Sequence, residues 1–286
     1  MRILSYATQE VITVSPGASI DKAICLMEER NIHHLVVTVE GRVVGILSDR
    51  DILVSTGWTL SIERTGKDQR ENRTRVLGPT QVRQIMSQPV TSVTVDQTPC
   101  DAARIMLEKK IGALPLMQGE KLAGLITETD LLKWPPLAEI EVDEFLNRTV
   151  STLMRANVIS VEPSTPLAHV VHLFRSRRIR HAPVVAGDRL VGIISDRDVR
   201  RALGWGSVQD MQAECEGRLD ARSPQLAADL MHEKVQTTNG RTTLRDALRT
   251  MLSERIHSLP VVEGKTLIGI LTQTDFVRAF VQEGLL

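Results

Sequence analysis

One block, Ala7 to Leu53, occurs four times in this chain with no insertion or deletion inside a copy. Adding 79, 147 or 224 to its numbers carries Gly45 onto Gly124, Gly192 and Gly269. The same shifts carry Asp51 onto Asp130, Asp198 and Asp275, and Ile32 onto Ile111, Ile179 and Ile256. A fixed period of this size means stacked or paired copies of one small supersecondary unit, so it constrains the fold more than any composition does. The copies also alternate. The first and third read Gly-Ile-Leu/Ile-Ser-Asp-Arg-Asp (45–51 and 192–198), each followed by Gly-Trp at 57–58 and 204–205. The second and fourth end in Thr-x-Thr-Asp (127–130 and 272–275) and carry Leu-Pro at Leu114–Pro115 and Leu259–Pro260. Such alternation is what duplication of an already paired unit leaves behind, so the chain reads as two modules of two repeats.

Bulk properties agree and narrow the partners. The length of 286 residues suits two such modules. Lys plus Arg balances Asp plus Glu at 35 each, so no global field draws the protein to nucleic acid or an anionic membrane, and any anion specificity is local. Cys25, Cys100 and Cys215 have neither metal-ligand spacing nor an even disulfide set. The first fourteen residues hold no apolar core of signal-peptide length, and no stretch approaches a membrane span. The expectation is a soluble protein of a reducing cytoplasm.

Within a repeat the apolar period changes in order. A β-type run opens it (Val11–Val14, Val90–Val93, Val158–Val161, Val235–Thr238). An amphipathic helix follows, with Ile20, Ala23, Ile24 and Met27 at the i, i+3, i+4, i+7 spacing that puts them on one face. Ser19 and Thr243 stand as its N-caps in repeats one and four. Two β runs come next, Leu35–Val39 and Val43–Leu47 in repeat one, separated by Glu40-Gly41. A short gap with glycine, as also at Gly119, Gly187 and Gly264, predicts a tight hairpin. A second helix then starts. A β-α-β-β-α unit has too few strands to bury both sheet faces, so it must pair with a neighbour.

The polar string at the end of the third strand carries the candidate chemistry: Ser48 and Asp51, Thr127 and Asp130, Ser195 and Asp198, Thr272 and Asp275. The plainer reading is a capping box, in which hydroxyl and carboxylate tie down orphan N–H groups of the following helix. The functional reading is that a strand end meeting a helix N-terminus offers N–H donors and partial positive charge, with a hydroxyl and a carboxylate that can hold a ribose diol. One carboxylate can do both.

The order β-strand, amphipathic helix, Ile-x-x-Leu-Pro-Val and Gly-Ile-h-Ser/Thr-x-x-Asp (h apolar) resembles the CBS domain, and two in tandem resemble a Bateman module. The resemblance covers all four repeats. It implies an α/β (α+β) fold of four β-α-β-β-α CBS repeats, paired into two Bateman modules in a disc. It places repeats at 1–57, 81–133, 150–206 and 228–286, with a charged linker at 58–80, a connector at 134–149 and a linker or helix at 207–227. It further implies that Asp51, Asp130, Asp198 and Asp275 accept a ribose beside Ser48, Thr127, Ser195 and Thr272, and that the first strand flanks the base. Repeat one departs in two places: Leu35-Val36 replaces Leu/Ala-Pro, and Ala7 replaces the Met that opens the other copies.

Basic residues near these rims are phosphate candidates: Arg180, His181 and Arg197 in repeat three, His33, His34 and Arg50 in repeat one, and His257 in repeat four, where repeat two has Gly112. Arg gives bidentate phosphate contacts and imidazole adds a donor. Their number in repeat three points phosphorylated ligands to the module at 150–280. The basic stretch Trp58–Thr80 lacks interleaved aromatics and reads as a linker rather than a nucleic-acid site. No nucleophile-base pair, metal cluster or Gly-rich phosphate loop is visible, so no catalytic residue and no metal is expected. The expected function is a non-enzymatic sensor of adenine nucleotide (AMP, ADP or ATP, with Mg accompanying ATP) that needs no resident cofactor and signals to an unidentified protein. A homodimer is compatible with it. The other class is an oligomerising regulatory subunit or scaffold that takes S-adenosylmethionine, nucleic acid or no ligand.

Overall fold

A computed structural model describes residues 3–55, 79–133, 140–202 and 226–286. Most of the expected linkers at 58–80 and 207–227, and the first part of the 134–149 connector, lie outside the described residues.

Each repeat forms the same unit. In repeat one, β1 (Thr13–Val14) runs parallel to β2 (His34–Val39), which pairs antiparallel with β3 (Arg42–Ser48). Repeat two matches it with β4 (Val93–Thr94), β5 (Ala113–Gln118) and β6 (Lys121–Thr127). Repeats three and four supply β7 (His181–Ala186), β8 (Arg189–Ser195), β9 (Ser258–Glu263) and β10 (Thr266–Thr272), joined as one sheet in the order β7-β8-β10-β9. The first strand is shorter than the apolar run suggests. In repeats three and four it shrinks to single parallel bridges, Val161 with Val184 and Thr238 with Val261. The reason is a change of partner: the residues just upstream pair with the other repeat of the module instead.

That exchange defines the modules. Thr8 bridges Leu125 while Ser87 bridges Ile46; likewise Arg155 bridges Ile270 and His232 bridges Ile193. Each leading segment therefore lies on the last strand of its mate, reciprocally within repeats one and two and within repeats three and four. The glycine shared by all copies is where the mate's opening residue lands. A Cβ built on Gly45 would sit 2.5 Å from Met86 Sδ, and one on Gly192 2.7 Å from Met231 Sδ. On Gly269 it would meet Met154 Sδ at 2.7 Å and Arg155 O at 3.1 Å; on Gly124 it would meet Ala7 Cβ at 3.1 Å.

Helices join the modules. Leu53 of repeat one is buried in the apolar cluster of repeat three, whereas repeats two and four share one core in which Met106, Leu131, Phe276 and Phe280 meet. The helix Ile140–Leu146 of the connector adds Phe145 to it, edge-on to Phe280 with centroids 5.4 Å apart. Repeats one and two, and three and four, are thus joined by strands, and one and three, and two and four, by helices. The result is a disc of four quarters in which one faces four, and two faces three, across the centre.

One local feature recurs without glycine. The residue that leaves the first helix is left-handed in every copy: Asn31 (φ 49°), Lys110 (57°), Arg178 (54°) and Arg255 (54°). Side chains other than Gly are strained there. Asn31 and Arg255 line the central cavity, but Lys110 is exposed at a plain helix C-terminus. Lys110→Gly should therefore stabilise the chain by about 0.5–1 kcal/mol. A rise in Tm checks this, and a fall would mean the Lys110 side chain makes a contact worth more than the strain.

Candidate functional site

The four Ser/Thr-x-x-Asp strings adopt one geometry. Oδ2 of the carboxylate accepts from the hydroxyl, at 2.7 Å in Ser48–Asp51 and Thr127–Asp130, 2.5 Å in Ser195–Asp198 and 2.6 Å in Thr272–Asp275. The backbone N–H of the same Ser or Thr also donates to Oδ2, and each Asp N–H returns a bond of 3.3 Å to the hydroxyl. Capping is therefore real in all four copies, and it uses Oδ2 alone. Oδ1 is left outside the cap, and its company differs. Asp51 Oδ1 has Ser87 Oγ at 3.4 Å, and Asp130 Oδ1 has Lys133 Nζ at 3.4 Å. Asp198 Oδ1 is bound by His232 Nε2 at 2.9 Å, and Asp275 Oδ1 by Arg155 Nε at 2.7 Å and Arg278 Nη1 at 3.1 Å.

The basic candidates converge on the middle of the disc from opposite quarters. His33 and His257 meet across the diagonal, with Nε2 atoms 3.4 Å apart and rings perpendicular. Along the other diagonal the Arg180 guanidinium reaches Gly112: a Cβ there would lie 3.5 Å from Arg180 Nη2. Gly112 is thus the space into which Arg180 extends, which the sequence shows only as a missing basic residue. Arg197 crosses between modules to Asn31 Oδ1 at 3.3 Å and lies 3.4 Å from His33 Nδ1. Its Nε is buried and has no hydrogen-bond acceptor among the described residues.

Three acids and an amide sit one residue after each Ser or Thr, at Asp49, Glu128, Asp196 and Gln273. Asp49 holds His33 Nδ1 at 2.6 Å. Between repeats two and four the arrangement is reciprocal: Thr129 donates to Gln273 Oε1 at 2.8 Å and Thr274 to Glu128 Oε1 at 3.0 Å. Their shared register across the copies was the available signal.

Burial sets the protonation states. It pushes His34 and His181 down to about 3, helped by Arg180 and neighbouring histidines, and His257 down to about 4, with His33 as the next cause. Near neutral pH these three rings are uncharged donors. Burial also raises the Glu128 and Asp196 carboxyls, against the pull of Arg180 on both. Arg50 is lowered first by burial, then by Arg180 and Arg178 beside it. Arginines close enough to lower one another in this way favour an anion between them.

Two spaces open here that share His33, Thr129, Lys133, Arg180, His257 and Gln273 in their walls. The central cavity, about 570 Å³, is lined from all four repeats, including His33, Thr129, Arg180, Arg197 and His257. A cleft of about 270 Å³ adjoins it in the first module, lined by Thr8, Val11 and Ile12 of repeat one and Thr127 and Asp130 of repeat two. Arg180, His33 and His257 stand at its inner end. Of the sequence candidates, Arg180, His181, Arg197, His33 and His257 border the central cavity, and His34, Thr127 and Asp130 the cleft; Ser195 borders the cavity beside Asp196. Ser48, Asp51, Arg50, Asp198, Thr272 and Asp275 line neither space.

Residues 3–55, 82–136, 150–204 and 227–282 each match the CBS domain. The chain belongs to the CBS-domain family. The uncharacterized protein MJ1225 of Methanocaldococcus jannaschii is 28% identical over 98% of this chain and 99% of its own length. Its crystal structure, described as that of a proposed archaeal homologue of g-AMPK, has a TM-score of 0.81 at 26% identity and covers 98% of this chain and all of that one. A conserved protein from Pyrococcus horikoshii has a TM-score of 0.62 at 19% identity over 98% of this chain and 99% of that one, a likeness of fold. The two tandem CBS pairs are Bateman modules, and a regulatory, ligand-binding role goes with them. No described helix is long and apolar enough to cross a membrane.

Proposed function

We propose that this CBS-domain protein is a non-catalytic sensor that binds an adenine nucleotide (AMP, ADP or ATP, the last with Mg) and reports its occupancy to a protein partner in the cytoplasm. The observation that carries this reading is the wall that the Asp130 cleft and the central cavity share at His33, Arg180 and His257. A nucleoside in the cleft has apolar walls at Val11 and Ile12 for its base and Thr127 and Asp130 for its ribose, and its phosphates then point at Arg180. MJ1225, similar over nearly its whole length, is described as a proposed homologue of g-AMPK, which favours the same class of role. Because Arg180 and Arg197 belong to one module and the cleft to the other, a phosphate between them ties the two modules together. Such a ligand shifts the disc only by its differential affinity for the two arrangements.

The test is thermal shift of the full chain with AMP, ADP, ATP, S-adenosylmethionine and adenosine. A nucleotide at 100 times its Kd should add about 2.7 kcal/mol of apparent stability. Arg180→Ala should weaken AMP by about ten- to a hundredfold through loss of a charge-assisted contact, and leave adenosine nearly unaffected. A shift with S-adenosylmethionine alone would replace the ligand in this reading, and no shift with any of the five would reject it.

A further inference from the structure

The residue that follows the opening Met or Ala of each repeat is Thr8, Ser87, Arg155 or His232. The strand exchange lays each of them beside the ribose-type carboxylate of its mate: Thr8 by Asp130, Ser87 by Asp51, Arg155 by Asp275 and His232 by Asp198. We propose that this residue selects which clefts take a ribose, so that nucleosides bind in the first module and the second module closes its own carboxylates with Arg155 and His232.

Oδ1 is the deciding atom. Since Oδ2 is already used by the helix cap in every copy, a ribose diol has only Oδ1 to hydrogen-bond. In the first module the mate contributes a small hydroxyl instead: Ser87 is at a long 3.4 Å from Asp51, and Thr8 lines the cleft with Asp130, whose Oδ1 has only the exposed Lys133 Nζ of its own helix, at 3.4 Å. A hydroxyl can turn to donate to or accept from a diol. In the second module Asp275 Oδ1 receives Arg155 through Nε at 2.7 Å and Nη2 at 2.6 Å, besides Arg278. With Asp275 only 3% exposed, a diol must break a buried charge-assisted pair and leave the carboxylate no better satisfied. His232 occupies Asp198 Oδ1 in the same way from a more exposed position, its side chain 66% exposed, so that closure is the weaker of the two. Four similar strings thus yield two classes of cleft. Repeat three keeps a role as phosphate donor, because Arg180 faces the Asp130 cleft.

This inference rests on the adenine-nucleotide reading and goes further by assigning the clefts. Isothermal titration of the full chain with AMP tests it, with melting curves to confirm that each variant is folded. Asp130→Asn, which keeps the cap's geometry, should weaken the tightest AMP site by about ten- to a hundredfold. Replacing both Arg155 and His232 with Thr should raise the stoichiometry by opening sites in the second module; Arg155→Gln alone serves if the double variant does not fold, and should open the Asp275 cleft. Unchanged stoichiometry in these variants would overturn the selector. So would loss of AMP binding on Asp275→Asn while Asp130→Asn binds normally, a result that leaves the nucleotide reading intact. No heat with AMP in the native chain or in any variant would overturn the nucleotide reading and the selector with it.

Discussion

Lowering the pH from 7 to 5 should destabilise this protein steeply, with the change beginning near pH 6.5. His34, His181 and His257 have folded pKa values pushed down to about 3, 3 and 4 from an ordinary 6.5. Between these limits the unfolded chain binds up to three more protons than the folded one at these rings, and stability rises with pH wherever the unfolded state binds more protons. Glu128 and Asp196 work in the opposite sense. Their folded pKa values are raised, so each stabilises the fold at low pH and loses that contribution as pH climbs through its folded value. Two carboxyls cannot cancel three imidazoles across the whole window. At 1.36 kcal/mol per proton and pH unit, the net loss is on the order of 1–4 kcal/mol per pH unit around pH 5 to 6. Urea titrations at pH 7, 6 and 5 measure it directly. A flat profile would mean that water or rearrangement lets the buried rings charge at no cost. Substituting Gln for both His34 and His181 should flatten it, since their two protons are then no longer taken up on unfolding.

The second large effect is expected at Gly192 and Gly45. Ala at either position drives a methyl into the mate's methionine, 2.7 Å from Met231 Sδ or 2.5 Å from Met86 Sδ, where no Cβ can remain. Overpacking of this kind costs about 1–3 kcal/mol. The double variant decides whether the mate is the cause. The three atoms nearest the Cβ at Gly192 all belong to Met231, so Gly192→Ala combined with Met231→Ala should cost less than the sum of the two changes. At Gly269 the same rescue should be partial, because Arg155 O stays 3.1 Å away whatever happens to Met154. Additive costs at Gly192 would show that the glycine serves the backbone of its own strand instead.

These glycines and methionines also show what a sequence reveals and what it hides. Both recur in register, so the copies, their β-α-β-β-α order and the doubled pairing were all legible from spacing. Ser19 and Thr243 were legible as caps, and both side chains accept from the helix N-terminus as expected. That Met231 exists to cover Gly192 was not legible, because the contact joins different repeats and no spacing within one repeat encodes it. The site divides in the same way. Each Ser/Thr-x-x-Asp string is local, and its capping geometry follows from four consecutive residues. The meeting of His33 with His257, and of Arg180 with Gly112, depends on a diagonal of the disc. Arg155 and His232 are not legible because in their own repeats they are surface residues after a methionine; their importance lies in whose carboxylate they touch.

The exchanged leading segments carry a consequence for inheritance. A single repeat expressed alone would show a bare glycine seam on its last strand and an opening residue, Met in three copies and Ala7 in one, with no glycine to cover. Duplicating the pair as a unit keeps each segment with its mate, and a substitution in one copy is felt on its partner's surface. The alternation of Ser-Asp-Arg-Asp with Thr-x-Thr-Asp along the chain is the record of that bookkeeping: like copies descend from like, while the partners they answer to are unlike.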